Sequence, residues 1–333
     1  MLADIINQQC KSASVNLIIV NDKIDFNLLR TISQQVNVFL INRKENNKFQ
    51  LLPTYLKIRT IVKKINPDVI HCHDSKLFPF YVNWRKKTYL TVHSTSLSVL
   101  FLKQYRKIFA ISIPVQQDIK RRTGIEAEVV YDGIETESYL SRTNYDFNPH
   151  TDVFKIVLVS RLCTSIKGQD IAIEALHLLL EKHSGLNVEL FLVGDGEALD
   201  SLKKLAVHNQ VDKHVVFYGQ VDRSWIKEHL KDFILLIQPS LVEGFGLTIV
   251  EGFASGLPVI ASDIDGPKEI MNILNAGLLV NPGDPADLAG KIEKVYESYV
   301  SENILNSGYL VKDKKRLEIF DIQRTAQNYL EKY

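Results

Sequence analysis

Short apolar, strand-like runs alternate with helical patterns along nearly the whole chain. That alternation is what parallel sheets demand, because each parallel strand is reached through a crossover that is usually a helix covering the sheet. In the first half the runs fall at 15–20, 36–41, 69–71, 88–92, 108–110 and 128–131, with helices at 52–65 and 114–123. Residues 141–153 are polar, carry Asn and Pro and show no period, which reads as an interdomain linker. The pattern then restarts: strands at 154–160, 189–193, 215–218, 233–238 and 259–262 interleave with helices at 169–183, 197–208, 224–230, 247–255 and 267–274, and an amphipathic segment at 319–330 follows. At 333 residues two cores are the natural partition. The expected architecture is α/β: two Rossmann-like, doubly wound lobes with a cleft between them, ligands sitting at the carboxyl edges of the strands. The expected domains are 1–145, 150–310, and a C-terminal helical segment, 311–333, crossing back to the first lobe. A doubly wound lobe normally opens with a strand and a glycine turn, whereas this chain opens on the helix-like 2–9. The central first strand of the N-terminal lobe is therefore expected to be missing.

Composition narrows the classes. No apolar run reaches the roughly 18 residues of a membrane helix, and the N-terminus lacks the basic and apolar regions of a signal peptide. Three scattered cysteines, Cys10, Cys72 and Cys163, fit a reducing compartment rather than a disulfide framework or a zinc site. The net charge of +1 conceals a division: residues 1–150 hold 21 Lys+Arg against 13 Asp+Glu (+8), and the remainder 19 against 26 (−7). Basic clusters at 84–87, 103–107 and 120–122 interleave with Tyr81, Trp84, Tyr89 and Tyr105. Such patches face either water or an anionic membrane; nucleic acid is not an expected partner.

The most informative stretch follows the apolar run at 233–238. Gly244 and Gly246 permit close backbone approach before a helix that starts near Leu247. The amides of Gly246, Leu247 and Thr248 then form a helix N-terminus suited to an anion. Glu251 lies one turn on, placed to accept from a vicinal diol, and Glu243 precedes the helix, beyond the phosphates, where a sugar would lie. Arg161, ending the first strand of the second lobe, and Lys167, opening the next helix, bring two cations to the same carboxyl edge, as a diphosphate requires. His93 ends a strand at the corresponding edge of the first lobe. His71 and His73 flank Cys72 without a third ligand at matching spacing and read as core or wall residues, not a metal site. Gly194-Asp-Gly196 is only a fragment of a dinucleotide fingerprint, and neither a Walker loop, a Gly-x-Ser-x-Gly elbow nor an Asp-x-Asp motif occurs.

Glu243 and Glu251, with seven residues between them, resemble the E-x(7)-E signature of the retaining glycosyltransferases of family 4, which have the GT-B fold. Segments 67–73, 91–93, 129–134, 160–168, 192–197 and 266–269 resemble the family in the same order. The resemblance implies a transferase taking a sugar from a nucleotide-diphosphate-sugar, with Arg161, Lys167, Gly246, Leu247, Thr248 and Glu251 holding the donor and His93 and Glu243 at the reacting centre. It implies no metal and no cofactor, a saccharide or lipid-linked saccharide acceptor, and a setting in bacterial surface polysaccharide assembly, in the cytoplasm or peripherally at the inner face of the plasma membrane. The same fold also serves nucleotide-sugar epimerases and would suit a non-catalytic nucleotide-sugar-binding subunit. Two departures stand out: Lys167 follows Arg161 by six residues rather than five, and Asp132 replaces the asparagine of the family's usual Tyr-Asn-Gly.

Overall fold

The computed structural model describes residues 1–44 and 48–333. The chain divides into two compact units, Met1–Ile134 with Phe320–Tyr333, and Glu135–Ile319.

The first unit opens with α1 (Leu2–Gln9), β1 (Asn16–Asn21), α2 (Phe26–Arg30), β2 (Asn37–Arg43) and α3 (Leu51–Ile65). It continues through β3 (Ile70–Cys72), β4 (Thr88–Val92), β5 (Lys107–Ala110), α4 (Ile113–Thr123) and β6 (Glu128–Val129). β1 and β2 form a parallel pair of their own, and β3-β4-β5-β6 form a separate parallel sheet in that order. Every residue of β4 is buried, whereas Leu17–Val20 of β1 are only partly covered. α4 shows why local sequence suffices for some elements. Ser112 caps it by accepting from the Val115 amide, Pro114 starts it, Lys120, Arg121 and Arg122 complement the dipole at its end, and Gly124 stops it with φ +74°.

The second unit holds β7 (Phe154–Val159), α5 (Thr164–Lys167), α6 (Gln169–Lys182), β8 (Val188–Val193), α7 (Leu199–His208), β9 (Val215–Gly219), α8 (Arg223–His229) and β10 (Leu235–Gln238). Then come α9 (Leu247–Ala254), β11 (Val259–Ser262), α10 (Asp265–Leu274), β12 (Leu278–Val280) and α11 (Pro285–Val300). Its six strands form one parallel sheet, ordered β12-β11-β10-β7-β8-β9. α6 and α11 supply Ile173, Leu176, Leu288 and Val295 to a core against Phe154, Leu190 and Leu235.

Last, α12 (Ile322–Lys332) returns to the first unit, where Ile322, Ala326 and Tyr329 pack with Ile5, Tyr89, Phe109 and Val130. Gly133 marks the junction: a Cβ there would lie 2.6 Å from Thr325 Oγ1 and 2.8 Å from the Asp321 carbonyl.

Two readings of the sequence need correction. The division falls after Ile134, not near 145, and residues 141–153 are not a free linker. The Arg142 amide donates to Ser255 O at 2.8 Å, the Tyr145 hydroxyl donates to Gly256 O at 2.8 Å, and Phe147 packs edge-on to Phe154 and Tyr299. Arg142 and Tyr145 turn their side chains to the Phe233 and Gly256 carbonyls, while Thr143, Asn144, Asp146, Asn148, His150, Thr151 and Asp152 stay exposed. The pattern also passed over β12 and α11, although Asp284 caps α11 and Pro285 starts it. No helix among the described residues is long and apolar enough to cross a membrane.

Candidate active site

In the second unit β7 and β10 are parallel neighbours, Leu235 opposite Ile156, so the loops after them leave the same edge of the sheet. They interlock: the amides of Leu241 and Val242 both donate to Ile166 O, at 2.8 and 3.2 Å. Gly168 permits the approach; its φ is +68°, and a Cβ would stand 2.1 Å from Pro239 O. α5 is thereby pinned over the end of β10, and Lys167 at its last position points Nζ at Glu243 Oε2, 2.6 Å away. Gln238, the last residue of β10, donates from Nε2 to the same oxygen at 2.8 Å. Arg161, after β7, pairs with Glu197 at 2.8 Å. Glu197's own backbone amide, then Arg161 and the Cys163 thiol, hold its carboxyl below the usual range. The Lys167 pair is the more sheltered, its side chains 24% and 16% exposed against 74% and 56% for Arg161 and Glu197. Both cations expected to meet a diphosphate thus already face carboxylates.

The chain enters α9 through Gly246 at φ +112°, and no side chain caps the helix. Leu247 and Thr248 open it, leaving first-turn amides directed out of the helix end. Glu251 sits one turn further on. Burial pushes its carboxyl up, partly offset by Tyr139, whose hydroxyl donates to Oε1 at 2.8 Å. The structure therefore brings Glu243 to Lys167 and gives Glu251 a different partner.

In the first unit His93 follows β4. Its Nε2 lies 2.9 Å from His73 Nδ1, the rings stacked at 5.2 Å, and its Nδ1 lies 3.7 Å from Asp132 Oδ2. His71 makes separate contacts, with the Tyr333 hydroxyl at 2.6 Å and Thr91 Oγ1 at 2.7 Å. Burial, and next the proximity of His93, lowers the His71 pKa to about 3; burial, then His71 and His93, holds His73 well below the usual imidazole value. Both rings are neutral hydrogen-bonding groups at physiological pH. No group of three or more His, Cys, Asp or Glu side chains with metal-holding geometry occurs among the described residues.

Sequence reasoning missed Tyr139, Gln238, Gln169 and the roles of Glu197 and Asp132. Gln169 is fully buried and donates to Ser160 Oγ and Arg161 O, both at 2.8 Å, fixing the backbone that carries Arg161. A glutamine at the first helical position after Gly168 was the available signal.

A profile described as Glycosyl transferases group 1 matches residues 143–308, and one described as Glycosyltransferase Family 4 matches residues 22–138. An uncharacterized glycosyltransferase of Methanocaldococcus jannaschii is 27% identical over 273 residues, 72% of this chain and 69% of that protein. The phosphatidyl-myo-inositol mannosyltransferase of Mycobacterium tuberculosis is 24% identical, covering 84% and 77%. Among solved structures, Anabaena HepE in complex with UDP and glucose superposes with a TM-score of 0.80 at 20% identity, over 99% of this chain and 94% of that one. One unit built on a six-stranded parallel sheet, the other on two smaller parallel sheets, and this likeness define the fold as GT-B. The chain belongs to the group 1, family 4 glycosyltransferases, and it is a glycosyltransferase.

Proposed function

We propose that the chain is a retaining transferase that moves a sugar from a nucleotide-diphosphate-sugar, bound by the second unit, to a saccharide or lipid-linked saccharide in bacterial surface polysaccharide assembly. The observation that carries it is the junction of the β7 and β10 loops, where Arg161, Lys167 and the uncapped start of α9 leave one edge of one sheet. A departing diphosphate needs that charge: cations and oriented amides stabilise it where it forms, without reorganising at the moment of reaction. Arg161, Lys167, Gly246, Leu247 and Thr248 hold the diphosphate, Glu251 accepts from the ribose, Glu243 meets the sugar, and His93 acts at the reacting centre. With these groups offsetting the leaving charge, transfer runs without a divalent metal or other cofactor. The UDP bound to HepE makes uridine diphosphate the first donor base to test.

The first unit is the acceptor side and rests peripherally on the inner, anionic face of the plasma membrane. α3 supports this: Leu51, Leu52 and Leu56 are exposed on a helix that also carries Lys57, Arg59, Lys63 and Lys64.

The test is calorimetric titration with nucleoside diphosphates, followed by turnover of the matching nucleotide sugars with and without EDTA and NMR assignment of the product anomer. Binding that Arg161→Ala and Lys167→Ala each weaken, chelator-resistant transfer and a retained anomeric configuration are expected. Free epimerised donor, or binding with no turnover on any acceptor, overturns the reading.

A further inference from the structure

Asp132, which stands where the family usually has asparagine, is not among the residues proposed to hold the donor. It follows β6, is 3% exposed, and its Oδ1 has no hydrogen-bond partner among the described residues. Its Oδ2 faces His93 Nδ1 at 3.7 Å, beyond hydrogen-bond length but within reach of its charge. Burial first, and Asp132 second, hold the nearby Tyr329 hydroxyl above the usual phenol range.

The other edge of His93 is already engaged. His73 Nδ1 and His93 Nε2 are 2.9 Å apart, so one of these two nitrogens carries the proton and the other accepts it. If His93 Nε2 donated, its Nδ1 would turn a lone pair toward a buried carboxylate. If His73 Nδ1 donates, His93 turns an Nδ1–H toward Asp132 instead. The second arrangement is attractive at both edges of the ring and the first at only one. His71 does not compete, since Tyr333 and Thr91 occupy both of its nitrogens.

We propose that Asp132 is a positioning residue for the transfer reaction, selecting the Nδ1–H tautomer of His93 and fixing the ring between itself and His73. This rests on the reading of His93 as a group that acts in transfer. Aspartate chooses a tautomer where asparagine does not, because an amide turns either its oxygen to an N–H or its NH2 to a lone pair.

The experiment uses the full chain. Long-range 1H–15N correlation spectra, at a pH where the ring is neutral, should show His93 as Nδ1–H in the parent and as a mixture of tautomers in the isosteric Asp132→Asn. In the same variant kcat should fall fivefold or more, with the donor KM within twofold of the parent. That loss should vanish when His93→Ala is already present. An Nε2–H signal for His93 in the unmutated protein overturns the proposal without recourse to any variant. So does an equal loss from Asp132→Asn in the His93→Ala background. His93→Ala turning over at the parent rate removes the underlying reading, and with it the positioning role, whatever the spectra show.

Discussion

At the scale of single residues, the two glutamates of the E-x(7)-E segment have separate fates. Glu243 pairs with Lys167, so an incoming diphosphate competes with it for that ammonium. Glu243→Gln is therefore expected to bind nucleoside diphosphate as tightly as the parent or a few fold tighter, while turnover falls. Weaker binding by titration calorimetry would contradict the competition. With Glu251 accepting from the ribose as proposed, Glu251→Ala should cost on the order of 1.5–3 kcal/mol, the range of a charge-assisted hydrogen bond, read in the same titration as a ten- to hundredfold rise in Kd. Glu251 also carries a pH signature. Its folded-state pKa is raised by burial, so between the ordinary carboxylate range and the raised value the folded protein binds more protons than the unfolded chain. Stability consequently falls as pH rises through that window. Glu251→Gln should flatten that part of a urea-midpoint profile against pH; an unchanged slope would remove the burial argument.

At the scale of elements, two helix ends govern the architecture of the site. α9 begins at a glycine in the left-handed region, and a Cβ at Gly246 would come within 3.0 Å of Ile249 Cδ1. Gly246→Ala is expected to cost about 1–3 kcal/mol through backbone strain and to weaken nucleotide binding by displacing the first-turn amides; thermal melts and calorimetry check the two effects together. α12 matters to the first unit instead. Tyr329 is fully buried, with Phe109 and His71 edge-on at 5.2 and 5.0 Å. Tyr329→Ala should cost about 3–5 kcal/mol, as large aromatic truncations in cores do. Its nucleotide affinity should match the parent's, because none of the residues proposed to hold the donor lies in that core.

At the scale of the whole molecule, the charge division is the property with a consequence. The +8 of residues 1–150 against the −7 of the remainder makes the protein an electrical dipole in sequence. Its basic part also exposes leucines on α3. Co-sedimentation with anionic phospholipid vesicles should be strong at low salt, weaken as the Debye length shrinks, and drop further in Leu52→Glu with Leu56→Glu. Binding indifferent to both salt and the leucines would rule out the peripheral membrane reading.

The sequence by itself determined what repeats or acts locally. The strand–helix alternation specified parallel sheets, the Ser112 cap and Gly124 stop bounded α4, and Gly244 to Glu251 declared a helix entered through glycine. The same local signals were present at Asp284 and Pro285, and α11 was legible there although the pattern passed over it. Tertiary structure alone decided the rest. Residues 141–153 look like a linker because hydrogen bonds to Ser255 and Gly256 leave no periodic trace. The unit boundary at Ile134, the return of α12, and the pairs Lys167–Glu243, Arg161–Glu197 and His93–Asp132 join positions far apart in the chain. Sheet order sets such meetings, since a parallel sheet places neighbours by crossover rather than by sequence. Periodicity reports which face of an element is buried, and it carries no information about which other element lies against it.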